Sequence, residues 1–203
     1  MEKEIDLADI LKRYVAYGEK NYFESITAEK VFKDLGISKE KAQEISNSVE
    51  YKTLKESIES LKTIYSGIER RCKEDKIKNG FNDFVNFYRW YKNQSQKQIN
   101  GEKICHYCGT TESNLKRLFK INDDDKNKPL YSKKPSFTAT LQVDRKNSNE
   151  GYNGDNCVLA CSFCNNAKSD MVKCKDLEFF EKHFKAFVQK FYTHLDSTIK
   201  YLD

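Results

Sequence analysis

Two CxxC pairs, Cys105-His106-Tyr107-Cys108 and Cys161-Ser162-Phe163-Cys164, restrict this chain more than any other feature. A two-residue gap lets both sulfurs of a pair reach one ion, and four thiolates at the corners of a tetrahedron suit Zn²⁺. The pairs are separated by 52 residues. One shared ion would therefore pin the start of a module to its end and supply folding energy that a small polar segment lacks. Redox-active thiols are the alternative, but no second thioredoxin-like feature accompanies them. Cys105, Cys108, Cys161 and Cys164 are the expected zinc ligands. Cys72, Cys157 and Cys174 are read as core or surface thiols. His106 is read as an exposed knuckle residue, with replacement of a Cys as ligand the alternative.

The pattern around this module is helical. Ile5, Leu7, Ile10, Leu11, Tyr14 and Val15 share one helical face. Thr27 can cap a short helix stopped by Gly36, and Ser38 can cap the next, with Ala42 and Ile45 inward. The stretch from Thr27 to Ser48 has helix–turn–helix spacing, but it is not basic, and two packed helices without groove contact are the preferred reading. Thr53 and Glu56 have capping-box spacing and predict a helix carrying Leu54, Ile58, Leu61, Ile64, Tyr65 and Ile68. Asn79-Gly80 breaks the pattern, and an aromatic helix then runs from Phe81 to Tyr91. The texture changes at Gly101. A strand is expected over Phe137–Val143, a loop over residues 122–134, and a further helix from Asp176. The expected class is mostly helical α+β. Residues 1–80 form a helical N-terminal region, and residues 81–203 hold the zinc module, its leading aromatic helix and a C-terminal helix.

Charge adds a modest pointer. The chain carries 36 Lys+Arg and 31 Asp+Glu. The excess is concentrated in residues 71–175, with 20 basic against 12 acidic side chains. A basic segment between near-neutral ones suits a polyanion partner, although a solvated lysine-rich surface gives the same count. No apolar run approaches the ~20 residues of a membrane span. The charged start MEKEIDLADILKRY lacks the apolar centre of a signal peptide. The expectation is a cytoplasmic protein that keeps its thiols reduced and makes no membrane contact.

Three stretches between and around the knuckles carry the chemistry: Leu141-Gln142-Val143-Asp144-Arg145, Gly151-Tyr152-Asn153-Gly154-Asp155-Asn156, and Cys161-xx-Cys164-Asn165-xx-Lys168. Together they resemble the HNH endonucleases, the ββα-metal family. That family has an apolar strand ending in Asp-His, an Asn five residues before a Cys, and CxxC-Asn-xx-Lys on a helix. The resemblance covers roughly residues 101–175. It implies a zinc-braced, treble-clef-like nuclease module that holds one Mg²⁺ or Mn²⁺ against a scissile phosphate. Asp144 matches the strand ligand and Asn165 the helix ligand, and both supply hard oxygens. Asn156 matches the residue that orients the general base, and otherwise only caps the turn.

The chain departs from the family at the base itself, where Arg145 replaces His. A guanidinium stays protonated and cannot take a proton from water. Two readings follow. In one, an active enzyme uses Arg145 to clamp phosphate while another group, with Lys146 and His106 as candidates, or solvent accepts the proton. In the other, a nuclease-derived module binds DNA and cuts poorly. Arg145, Lys146 and Lys168 are the expected nucleic-acid contacts, with Lys116, Arg117, Lys120, Lys126, Lys128, Lys133 and Lys134 nearby. The resemblance further implies double-stranded DNA as substrate. A homodimer is implied for double-strand cutting, and restriction or phage defence is the expected setting.

Overall fold

The computed structural model describes Lys33, Gly36 and residues 38–94, 98–99, 101–120, 128–131, 134–169, 172 and 174–197. The helices expected before Lys33 lie outside the described residues, as does the first half of the helix–turn–helix stretch. The chain divides into two compact units, Met1–Arg89 and Trp90–Asp203.

In the first unit, helix α1 (Lys39–Asn47) is capped by Ser38, whose side chain accepts from the Lys41 amide. Helix α2 (Val49–Glu74) follows after a single residue, Ser48. The Ser48 hydroxyl donates to the Ile45 carbonyl and accepts from the Tyr51 amide, so one side chain ends α1 and starts α2. The capping box expected at Thr53 is not used, because Ser48 has already opened the helix and Thr53 lies in its second turn. Tyr51, Ile58, Leu61, Tyr65, Ile68 and Cys72 recur at helical spacing along α2, and all are buried. Phe81 follows, also buried, and then helix α3 (Phe84–Asn93), within which the two units divide. Tyr65 packs between Phe84 and Phe87, and its hydroxyl accepts a 3.0 Å bond from Asn79 Nδ2.

The second unit opens with a two-residue antiparallel ladder, β1 (Gln98–Ile99) with β2 (Glu102–Lys103), turned by Gly101 at φ +79°. The first knuckle follows. Helix α4 (Glu112–Phe119) is capped by Thr111 and buries Leu115 and Leu118. Strands β3 (Gln142–Arg145) and β4 (Cys157–Ala160) then form an antiparallel hairpin that pairs Asp144 with Val158. Helix α5 (Ser162–Lys168) leaves β4 after Cys161, and the C-terminal helix α6 (Leu177–Leu195) buries Val188 and Tyr192.

The strand expected over Phe137–Val143 begins only at Gln142. The Thr138 amide and carbonyl both bond the Ser162 hydroxyl, so that backbone is satisfied by α5 and not by a ladder. Glu112 Oε1 accepts from the Leu141 amide at 3.0 Å and fixes the entry to β3. Among the described residues no helix is long and apolar enough to cross a membrane.

Candidate metal centre and hairpin–helix site

The four knuckle cysteines converge. The sulfurs of Cys105, Cys108, Cys161 and Cys164 all lie within 4.8 Å of one another, and all four residues are buried. Zn–S bonds of about 2.3 Å at tetrahedral angles place sulfurs about 3.8 Å apart. Cys108 and Cys161 are 3.8 Å apart. This donor set can hold zinc, and its chemistry fits no hard cation.

Backbone bonds shape the cage. Cys105 N donates to Thr110 O and Gly109 N to Cys105 O, with Gly109 at φ +77° closing the turn. His106 N donates to Leu159 O and ties the knuckle to β4. Helix α6 braces it from outside: Gln189 Nε2 donates to Cys108 O at 3.0 Å, and the Tyr192 hydroxyl lies 3.4 Å from Cys161 Sγ. Phe163 stacks against Phe184 and Phe191 of the same helix. Burial pushes the Cys108 thiol up. At Cys161 the effect of burial is outweighed by hydrogen bonds from the neighbouring sulfurs and Tyr192, which pull that thiol well below the usual range. His106 is no ligand here; its Nε2 faces Glu181 Oε1 at 3.0 Å.

Beside the cage, β3 and α5 form a seam. Gln142 and Asp144 are two apart on the strand and share a face, while Asn165 and Lys168 are one turn apart on the helix. Asn165 Nδ2 donates to Gln142 Oε1 at 2.8 Å. Lys168 Nζ lies 3.5 Å from Asp144 Oδ1, with side chains only 2% and 8% exposed. Asp144 and Asn165 thus belong to one strand–helix junction. The Gln142 bond holds the Asn165 amide nitrogen, and among the described residues Asn165 Oδ1 accepts no hydrogen bond. That leaves a carbonyl oxygen available to a cation.

The Asp144 carboxylate is held from two sides. Tyr107, inside the first knuckle, donates its hydroxyl to Oδ2 at 2.6 Å, and Lys168 stands at Oδ1. Each carboxylate oxygen retains a second acceptor position. Burial raises the Asp144 carboxyl above its ordinary value, against the Tyr107 hydrogen bond and the Lys168 charge, which pull it down. Hard oxygens from Asp144 and Asn165 fit Mg²⁺ or Mn²⁺ by donor type, with water completing the shell.

Other expected site residues lie elsewhere. Lys168, expected to touch nucleic acid, is turned inward onto Asp144, and Nζ also donates to Ser169 O. Arg145 projects away from Asp144, as strand alternation requires. Its guanidinium lies 4.8 Å from the centre of the Tyr152 ring, and Nη1 donates to Glu150 O. Asn156 is buried and laces the hairpin loop, accepting from Asn147 N and donating to Asn147 O and Gly151 O. Lys146 is half-buried, and its amide bonds Asn156 O. Trp90 Nε1 clamps the same loop at Gly154 O, 3.2 Å away. Arg117 is engaged with Asp196 at 2.6 Å; Lys126 and Lys133 lie outside the described residues.

The loop geometry makes Asn156 testable. Asn156→Ala strands two half-buried carbonyls and an amide, each costing at most about 1–3 kcal/mol when left unmade. Thermal melting should fall measurably while the zinc content stays unchanged. An unaltered melt would contradict the lacing role.

Sequence reasoning missed Tyr107 and Gln142. Gln142 carries a signal, since it sits two residues before Asp144 on the same strand face. Tyr107 carries none beyond its place inside a knuckle.

No family model matches the chain, and no curated protein matches it. Among solved structures, the chain is similar to the rare-cutting HNH restriction endonuclease PacI, whose structure is described as exhibiting an extraordinary mechanism of DNA perturbation. The TM-score is 0.45 and the sequence identity 23%, over 63% of this chain and 78% of that one.

Proposed function

We propose that this chain is a metal-dependent endonuclease of the HNH type that hydrolyses phosphodiester bonds in double-stranded DNA. The observation that carries the reading is the β3–α5 seam, which sets a buried carboxylate and a free amide oxygen beside a four-cysteine cage. A divalent ion held by Asp144 and Asn165 would stabilise charge on the leaving oxygen. Arg145, always charged, offers its remaining N–H donors to a phosphate. It accepts no proton, so another group or solvent takes the proton of the attacking water. Lys146, on the same hairpin, adds a second cation for the backbone. Two copies of the chain would cut the two strands, and the helical region 1–80 would supply recognition or contacts between copies. Restriction or defence against phage inside the cell is the setting this activity suits.

A second reading has its own support. Arg145 stands where the family has its base and is engaged by Tyr152 and Glu150, which suits a module that binds DNA and cuts poorly. Incubating the full chain with supercoiled plasmid separates the two. Cleavage that appears with Mg²⁺ or Mn²⁺ and weakens steeply between 50 and 200 mM salt, roughly as each phosphate contact contributes, is the expected result. DNA retention without nicking favours the binding module. Neither retention nor nicking overturns both.

A further inference from the structure

One side chain of the first knuckle reaches the Asp144 carboxylate. Tyr107 sits between Cys105 and Cys108, is 1% exposed, and reaches 37 residues along the chain to Asp144 Oδ2 at 2.6 Å. Its ring is fixed edge-on against Phe180 of α6, with centroids 5.8 Å apart, and against His106 at 5.2 Å. The ring is therefore packed by the first knuckle and helix α6, and its hydroxyl bonds the hairpin. Lys168, at 3.5 Å, is longer than a directed N–H···O bond and acts on Asp144 chiefly as a charge. Tyr107 alone supplies a short directional bond to this carboxylate among the described side chains.

We infer that Tyr107 is a positioning residue that makes the zinc knuckle a working part of the hydrolytic centre. Its hydroxyl occupies one acceptor position of Oδ2 and so fixes which carboxylate lone pairs are presented toward Asn165. The zinc cage then sets the affinity of the second, divalent-ion site and does more than fold the chain. Lys168 stays beside Asp144 when Tyr107 is replaced. The tyrosine contributes orientation. This inference rests on the reading of Asp144 and Asn165 as ligands.

The test uses the full zinc-loaded chain and its Tyr107→Phe variant, with Mn²⁺ as probe. Partners that orient a metal ligand are typically worth 10–100-fold in affinity. Tyr107→Phe should keep its zinc and its melting temperature to within a few degrees. Its Mn²⁺ dissociation constant, measured by the electron paramagnetic resonance of free Mn²⁺, should rise about tenfold or more. Plasmid nicking should recover at saturating Mn²⁺. Unchanged Mn²⁺ affinity in a zinc-loaded variant overturns the inference.

Asp144→Asn separates this failure from that of the underlying reading. If the Mn²⁺ site of the wild type survives Asp144→Asn, the ligand assignment and the inference fall together. If it is lost in Asp144→Asn and unchanged in Tyr107→Phe, only the inference falls. Should Tyr107→Phe lose zinc, the wild type decides by proton NMR. The slowly exchanging Tyr107 hydroxyl proton should shift as Mg²⁺ is titrated to saturation, and a hydroxyl resonance that stays in place contradicts the coupling.

Discussion

Asp144→Asn should lower the rate of plasmid nicking by about three orders of magnitude. The amide keeps the shape of the carboxylate and an oxygen for Tyr107 to bond, but it loses the charge that grips a hard cation. Lewis-acid stabilisation by such an ion is worth several kcal/mol, and each 1.36 kcal/mol is a factor of ten. The substitution also leaves the buried Lys168 ammonium without its partner. Breaking one side of a buried pair costs about 3–5 kcal/mol of stability, so lost activity alone would be ambiguous. Pairing Asp144→Asn with Lys168→Met removes both charges and resolves it. The double variant should regain much of the lost melting temperature and still fail to nick. Wild-type nicking by the double variant would sink the assignment of Asp144.

Zinc removal should have the larger structural effect. The second unit has a core of ordinary side chains around Leu115, Leu118, Leu159, Val188 and Tyr192, but its two knuckles are joined through the four sulfurs. Structural zinc contributes about 10–16 kcal/mol to the folding of small modules, against a total stability of about 5–15 kcal/mol for a typical domain. Stripping the ion with a chelator, or replacing Cys108 with Ser, should abolish the near-ultraviolet circular dichroism contributed by Tyr107, Tyr152, Tyr192 and Trp90 of the second unit. Helical signal from α2 should largely persist, because its core of Tyr51, Ile58, Leu61, Tyr65 and Ile68 contains no metal ligand. One zinc per chain is the expected content. A metal-free protein that still melts cooperatively with an intact near-ultraviolet spectrum would contradict the brace.

The parts of this molecule that were legible in its sequence are those set by local chemistry. The CxxC gaps fix where two sulfurs can go, and the sulfurs converge. The spacing of Ile58, Leu61, Tyr65 and Ile68 fixes a helical face, and that face is buried. The errors arose where two local solutions compete or where a distant residue decides. Ser48 and Thr53 could each start a helix; the end of α1 at Asn47 gave the cap to Ser48, whose hydroxyl serves both helices. Residues 137–141 have strand composition, but the Ser162 hydroxyl captures the Thr138 backbone. Lys168 looks like a phosphate contact by type, and only the fold shows that the end of α5 faces a buried carboxylate. Tyr107 is the least legible of all. Nothing in a knuckle's spacing announces that its third residue will reach a strand 37 positions away.

The central claim is that Asp144 and Asn165 share one divalent cation. Crystals of the zinc-loaded chain grown with MnCl₂ test it directly, through anomalous scattering at the manganese edge. The expected peak lies at bonding distance from an Asp144 carboxylate oxygen and from Asn165 Oδ1, with Tyr107 still bonded to Oδ2. A map with manganese bound elsewhere, the Asp144–Lys168 pair undisturbed and no peak between Asp144 and Asn165 would contradict it.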